Sequence, residues 1–264
     1  MSSGGLFGRS GTKVVYQNNA QGGGLMSSLV SAATGSSHTF SPLDLKPAAW
    51  YRSDLLITLN STTVSAWGDS SGSGDTHKNL TEGTALLQPV YTASDANFNN
   101  NPSLVFASGA GLVSTSWTSA LTQPWSSFAV ARCTATGSYL LDTVTGSEVA
   151  QIGNSTGFQF FAGSGSGTNT GGTVVNKTGS YICLYDSAGG GNNQYVSSNT
   201  VATQASHAAG TAGIGSLTVG NTQGLGAFAG WNIAEVAIFS GVLTAGQIAS
   251  LNAYAATKYG VTIS

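Results

Sequence analysis

Charge is what this chain of 264 residues has least of: 8 Lys and Arg and 10 Asp and Glu together make up 7% of it. Ordinary soluble domains carry about 25%. Without a basic patch, the chain has almost nothing with which to neutralise phosphates, so nucleic-acid binding of the usual electrostatic kind is excluded. A surface this poor in charge suits a protein that packs against copies of itself or against neighbours, and we expect a homo-oligomer.

Long apolar runs are also missing, and no stretch approaches the roughly 18 apolar residues of a membrane span. The first residues, MSSGGLFGRSGTKVV, lack the basic segment and following apolar segment of a secretory signal. We therefore expect synthesis in the cytoplasm. The two cysteines, Cys133 and Cys183, lie in separate apolar segments. Two buried free thiols are the simpler interpretation, and a disulfide is the alternative.

The acid pair that cleaves a glycosidic bond is not evident, although that reaction needs two carboxyl groups a few ångströms apart. Glu82, Glu148 and Glu235 are far apart in sequence, and none has an acidic neighbour two or three residues away. Since a lone acid cannot serve as both acid and base, we interpret Glu235 as a structural carboxylate, hydrogen-bonded or paired with Arg or Lys. We expect no catalytic residue, and hydrolysis at Glu235 is only a third hypothesis.

Other catalytic and cofactor motifs are absent too. His38, His77 and His207 are isolated in the sequence, which argues against a zinc site. No G-x-S-x-G segment precedes a helix, and no glycine-rich run ends in Gly-Lys-Ser/Thr. We expect no organic cofactor.

Strand and turn patterns are what the chain has in abundance. Its 37 Gly, with many Ser and Thr, separate short apolar or alternating segments. In one of these, Phe128, Val130 and Arg132 face one way and the residues between them face the other. Thirteen such segments predict an all-β, two-sheet antiparallel sandwich. The predicted strands are 48–52, 64–67, 87–91, 103–106, 111–114, 127–133, 139–142, 148–152, 157–161, 181–186, 194–197, 217–220 and 233–239.

One convincing helical pattern lies near the C-terminus, directly after the strand 233–239. Thr244 begins it, with Gln247 three residues later as the reciprocal cap. Ile248, Leu251 and Ala255 recur at helical spacing, so one stripe of the helix packs inward. Gly260 ends the helix.

Two blocks of sequence resemble the concanavalin A-like, laminin-G-like jelly-roll family. The first is PAAWYRSDLLITLNSTTVSAWGDSSGSGDTHKNLTEGTALLQPVY, and the second is IAEVAIFSGVLTAGQIASLNAYAATKYGV. The segments WSSFAVARC and LYDSAGGGNNQYV resemble two further strands of the family. The resemblance covers roughly residues 42–264 and implies a jelly-roll sandwich with one short C-terminal helix. The family includes lectins, glucanases and structural modules, so the resemblance does not decide function.

Residues 1–41 form a glycine- and serine-rich arm ahead of the predicted sandwich of residues 42–264. Two apolar pieces interrupt it: Val14, Val15 and Tyr16, which suit strand addition to an exposed edge, and a short amphipathic stretch. The apolar face of that stretch needs a surface to cover it, because so short a helix is unstable alone in water. We interpret both as partner-binding segments; the second consists of Leu25, Met26, Leu29 and Val30.

A glycine-bent loop carries Asp69 and Asp75, and two interpretations stay open. Calcium takes six to eight oxygen ligands, and this loop supplies part of such a set. Alternatively, Asp69 caps its own backbone in an Asx-turn. Only the first would bring a structural calcium ion.

A sugar site requires an exposed aromatic ring surrounded by polar side chains. Trp117 and Trp125 flank a polar stretch and are the glycan-binding candidates, and Tyr139 follows a glycine turn. The remaining tryptophans lie in predicted strands and are assigned to the core.

The main prediction for function is a non-enzymatic component of a bacteriophage virion, such as a capsid decoration, head-fibre or tail protein. Its arm would bind other virion proteins, and the protein would be assembled in the host cytoplasm and then become extracellular. The alternative is a lectin-like module that binds host or surface glycans.

Overall fold

The computed structural model describes residues 39–107, 109–143, 149–163, 168–169, 173–188, 192–202, 210–226 and 229–264. The chain divides into two units, Met1–His38 and Thr39–Ser264, and all described residues belong to the second. The predicted partner-binding segments at 14–16 and 25–30 lie outside the described residues.

Strands dominate the described residues, which also contain four 3-10 helices (Pro42–Leu45, Thr76–Lys78, Ala85–Leu87 and Ala96–Phe98) and the helix α1 (Ala245–Tyr259). The strands are β1 (Ala49–Arg52), β2 (Ile57–Asn60), β3 (Thr63–Trp67), β4 (Leu80–Thr81), β5 (Val90–Asp95), β6 (Asn101–Phe106), β7 (Leu112–Ser114), β8 (Trp125–Cys133), β9 (Ser138–Asp142), β10 (Val149–Asn154), β11 (Gly157–Ala162), β12 (Thr168–Asn169), β13 (Thr178–Tyr185), β14 (Asn193–Val196), β15 (Thr218–Val219) and β16 (Trp231–Ser240).

The strands are joined by antiparallel pairing into one hydrogen-bonded sheet, in the order β12-β11-β10-β9-β15-β7-β4-β3-β5-β6-β16-β8-β13-β14. Two strands lie off this path: β1 pairs with β16, and β2 pairs with β3. The all-β antiparallel prediction is confirmed, whereas two separately bonded sheets are not observed. The long strand β16 explains the continuity: it pairs with β8 on one side and with β6 and then β1 on the other.

The central strands bury side chains on both faces, which is why their sequences are apolar without interruption. On β8, Ala129 and Ala131 belong to a large core cluster, while Phe128 and Val130 belong to a second cluster that contains the buried face of α1. We call the second the helix-side cluster. The alternation predicted along β8 is confirmed.

The helix α1 matches its prediction closely. The Thr244 side chain accepts from the Gln247 backbone N–H, and the Gln247 side chain accepts from the Thr244 backbone N–H. Gly260 ends the helix at φ 70°, in the left-handed region that favours glycine. Ile248, Leu251 and Ala255 are buried, as their spacing predicted.

Each of the thirteen predicted strands overlaps an observed strand, but β2, β4 and β12 were missed. The predicted strand 87–91 begins late, because Ala85–Leu87 is a 3-10 helix and β5 starts at Val90. Cys133 and Cys183 are buried free thiols, as the simpler interpretation had it. Within the described residues, no helix has the length and apolar character needed to cross a bilayer.

Candidate functional site

A fully buried carboxylate, that of Glu235, joins strand β16 to helix α1. A register shift between Ile233 and Glu235 interrupts the pairing with β8. Three side chains donate hydrogen bonds to the carboxylate: Trp50 Nε1 at 2.6 Å, Tyr254 Oη at 2.9 Å and Tyr259 Oη at 2.5 Å. A buried charge of this kind is tolerated only when it is hydrogen-bonded and paired.

Two cations balance the carboxylates of this cluster. Lys258 Nζ lies 3.7 Å from Glu235 and 3.2 Å from Asp54, and Arg52 binds Asp54 through two nitrogens at 2.8 and 2.7 Å. Burial raises the pKa of Glu235 above its ordinary value, although Lys258 and the three donors oppose that shift. Burial also raises the pKa of Asp54, but Arg52 and Lys258 outweigh it and leave the pKa lowered.

Solvent does not reach the Glu235 carboxylate. Glu235 has no exposed surface, and its oxygens face donors from β1 and α1. The predicted hydrogen bonding of Glu235 and its pairing with a Lys are therefore observed, and its structural role stays a prediction. Its chemistry in this arrangement is to orient α1 on the sheet.

A different surface is formed where β9, β10 and β11 turn side chains away from the core. Phe158 and Phe160 of β11 belong to the large core cluster, so Gln159 and Phe161 lie on the opposite face. Cross-strand pairing places Ile152 of β10 between Tyr139 of β9 and Gln159. We call Tyr139, Ile152, Gln159 and Phe161 the outward face.

The outward face combines apolar rings with amide groups. Tyr139, Gln159 and Phe161 are each partly exposed. The Asn154 amide donates to Gln159 Oε1 at 2.9 Å, which fixes the orientation of the Gln159 side chain. Strands lie about 5 Å apart, so Tyr139 and Gln159 are separated by roughly 10 Å across Ile152. Two rings and an amide on the same sheet surface suit a ligand that has both apolar and hydroxyl-bearing faces.

Trp117 and Trp125, the predicted glycan-binding residues, have 6% and 1% of their surface exposed. The Trp117 ring lies against Lys78, and its Nε1 donates to Ser114 Oγ. Trp125 stacks on Tyr185 with ring centroids 3.7 Å apart. Neither ring has an open face, so the prediction of an exposed platform at these two residues is wrong. The assignment of Trp50, Trp67 and Trp231 to the core is confirmed.

The carboxylates of Asp69 and Asp75 are both engaged by donors of the protein. Asp69 accepts from the backbone of Ser71 at 2.9 Å, which is the predicted Asx-turn, and from the Trp50 backbone N–H. Asp75 accepts from His77 and Thr118. Among the described residues, no group of three His, Cys, Asp or Glu side chains is placed to hold a metal ion. The geometry thus agrees with the turn interpretation.

No protein-family model matches the chain, and no curated protein matches it. Several solved structures are similar to this chain in fold. Domain 4 of AbnA, a GH43 extracellular arabinanase from Geobacillus stearothermophilus, in complex with arabinotriose, is 16% identical with a TM-score of 0.52 over 78% of this chain and 98% of that chain. Trypanosoma rangeli sialidase in complex with sialic acid is 13% identical with a TM-score of 0.50 over 77% of this chain.

A GH54 arabinofuranosidase soaked with 4-nitrophenyl arabinofuranoside is 12% identical, with a TM-score of 0.52 over 75% of this chain and 52% of that chain. The chain spans about a third of the length of the sialidase, 32%. At these identities the likeness establishes a shared fold. This likeness supports one part of the family resemblance, namely a β fold that is also found in carbohydrate-active proteins. The likeness does not indicate a phage family.

These comparisons contradict the prediction of a non-enzymatic virion component. The similar structures are glycoside hydrolases or a domain of one, and the carbohydrate-binding alternative agrees with them better. The prediction that the chain is not an enzyme is contradicted by the same finding. Both predictions rested on the absence of an acid pair in the sequence, on the charge-poor composition and on an arm that needs a partner.

Proposed function

We propose that this protein binds carbohydrate on the outward face of β9–β11. The observation that carries the proposal is the arrangement of Tyr139, Gln159 and Phe161, two partly exposed rings and an amide on one sheet surface. Sugar rings have apolar faces that pack on aromatic rings, and their hydroxyls need hydrogen-bonding partners nearby.

The outward face is a firm support for a ligand. Phe158 and Phe160, which alternate with Gln159 and Phe161 along β11, are fully buried in the large core cluster. A ligand on this surface therefore meets side chains whose backbone is already fixed, which lowers the entropy lost on binding. The fold likeness to a domain solved with arabinotriose supports the choice of oligosaccharides as the ligand class.

A glycan array that includes linear arabino-oligosaccharides tests the proposal. Wild type is compared with Phe161→Ala, Tyr139→Ala and the double variant, and Leu59→Ala, an exposed apolar residue of strand β2, serves as the matched control. We expect reproducible binding that both single variants weaken and the control does not. Binding that survives the double variant would show that the ligand sits elsewhere. The same oligosaccharides are assayed for release of reducing sugar, which tests for hydrolysis.

We infer further that the single sheet bends into two stacked layers, as in a jelly-roll sandwich. What supports this is contact between strands at opposite ends of the hydrogen-bonded order. Phe158 of β11 lies 4.8 Å from Tyr181 of β13, and Phe160 lies 5.1 Å from Tyr185. Nuclear Overhauser effects between these ring pairs are the expected result, and their absence would contradict the layered arrangement.

A further inference from the structure

We infer that a second pocket, formed by β13, β14 and the segment before β13, binds the carboxylate of an acidic sugar, with Lys177 as the counter-ion. We call it the Lys177 pocket. The inference goes beyond the proposed function, because the site and the ligand chemistry differ from those of the outward face.

The Lys177 pocket has a volume of about 520 Å³, which suits a sugar of one or two residues. The apolar part of its lining includes Val174, Val196 and Ala202. Its polar lining is rich in hydroxyls, from Thr173, Thr178, Ser197 and Thr262 among others.

Two backbone features shape this pocket. Ser197 has φ 48°, a left-handed conformation that a side chain rarely adopts, and such strain is concentrated at ligand sites. Gly179 is in close contact with Ser197, because a Cβ added to Gly179 would lie 2.6 Å from Ser197 Oγ. The glycine thus makes room for the Ser197 hydroxyl in the pocket lining.

The polar groups of this pocket are set to donate. Thr173 Oγ1 accepts from the Val175 N–H at 3.1 Å, and Ser197 Oγ accepts from the Ser180 N–H at 3.2 Å. Each hydroxyl therefore keeps its O–H for a ligand acceptor. Lys177 is exposed and forms no ion pair with any carboxylate of the described residues.

Hydroxyl donors that line the same pocket as the Lys177 ammonium match a carboxylate better than they match a neutral sugar. Apolar walls next to these donors match the carbon skeleton of a sugar better than they match a bare inorganic anion. The two requirements together select a uronic or sialic acid unit.

Isothermal titration of the full chain tests this inference with trigalacturonate and sialyllactose as probes. Fully methyl-esterified trigalacturonate and lactose are the neutral counterparts, and inorganic phosphate is the anion-only probe. We expect at least one acidic probe to bind about tenfold or more tightly than its counterpart. We expect Lys177→Gln to remove that preference and Lys177→Arg to retain it. Lys46→Gln, at another exposed lysine, controls for net charge.

Two further results decide the matter. Ala202→Phe fills the pocket without altering charge, and it should weaken the acidic probe as much as Lys177→Gln does. Tyr139→Ala, on the outward face, should leave the acidic probe unaffected, so failure of the outward-face proposal is distinguishable from failure of this one. Equal binding of acidic and neutral probes, an unchanged preference in Lys177→Gln, or full displacement by phosphate at equal concentration would each overturn the inference.

Discussion

The Glu235 cluster and the outward face are two regions of one sheet that differ in how their polar groups are satisfied. At the Glu235 cluster, donors from β1 and α1 surround an acid with no exposed surface. On the outward face, Tyr139, Gln159 and Phe161 stay partly exposed above a buried aromatic layer.

Whether polar groups are satisfied within the protein distinguishes a structural role from a binding role more clearly than residue type does. An unusual buried acid invites a catalytic interpretation, yet it is the fully partnered group that stabilises the fold. A partly exposed ring buries only part of its apolar area in the protein. The rest of that area remains available for contact with a ligand. The same sheet thus supports α1 on one side and presents a surface on another.

The largest expected effect comes from Glu235→Ala. The substitution leaves Trp50 Nε1 and two tyrosine hydroxyls without their acceptor in a buried site, while Lys258 keeps its ion pair with Asp54. We expect a loss of about 3–5 kcal/mol in the free energy of unfolding. Urea denaturation measures it. Glu235→Gln keeps a carbonyl acceptor and should cost less. A loss below about 1 kcal/mol in the Ala variant would contradict the structural role.

The second effect is on binding. Phe161→Ala should reduce carbohydrate affinity by about 1–2 kcal/mol, roughly 5- to 30-fold, because an aromatic ring loses its contact with the sugar. Its unfolding free energy should change by less than about 1 kcal/mol, since the ring is partly exposed. Titration and urea denaturation of the same preparation check both values. A large loss of stability in Phe161→Ala with unchanged carbohydrate affinity would show that Phe161 has a structural role and does not bind the ligand.

Tyr254→Phe should have a smaller effect on stability. It removes the 2.9 Å hydrogen bond to Glu235 and the 3.2 Å hydrogen bond that Tyr254 Oη accepts from Lys258, and it leaves the other two donors to Glu235 in place. We expect a loss of about 0.5–1.5 kcal/mol. Thermal unfolding compared with wild type measures it, and an effect as large as that of Glu235→Ala would show that Tyr254 contributes more than this contact.

The smallest effect concerns pH. The pKa of Glu235 is raised in the folded protein, so the folded state binds more protons than the unfolded chain as pH rises above the ordinary glutamate value of about 4.3. The contribution of Glu235 to stability is therefore present at lower pH and is lost as pH rises through its folded pKa. Asp54, whose pKa is lowered, acts in the opposite direction.

Subtracting the stability of Glu235→Gln from that of wild type isolates this dependence. We expect the difference to shift against wild type between pH 4 and pH 7. A difference that favours wild type more strongly at higher pH would contradict the raised pKa.

Local patterns predicted α1 well, because its caps and buried stripe lie within 17 residues, Thr244 to Gly260. The structural role of Glu235 was also predictable, since a lone acid in an apolar strand needs partners. Its partners were not, because Trp50 lies 185 residues away in the sequence. Only the fold brings β1 beside β16.

The outward face was harder to predict for a related reason. The alternation in GFQFFA shows that Phe158 and Phe160 lie on one face of the strand and that Gln159 and Phe161 lie on the other. It does not show which pair faces the core. The choice depends on the pairing of β11 with β10. The Trp117 and Trp125 prediction failed because a tryptophan beside a strand end finds packing partners, here Lys78 and Tyr185.

The most direct test of the carbohydrate-binding account is an NMR titration of the full chain with the oligosaccharide that binds most tightly on the array. The account predicts that the amide shifts change at Tyr139, Ile152, Gln159 and Phe161, while those around Glu235 and α1 stay constant. Changes confined to α1, or none at saturating ligand, would contradict it.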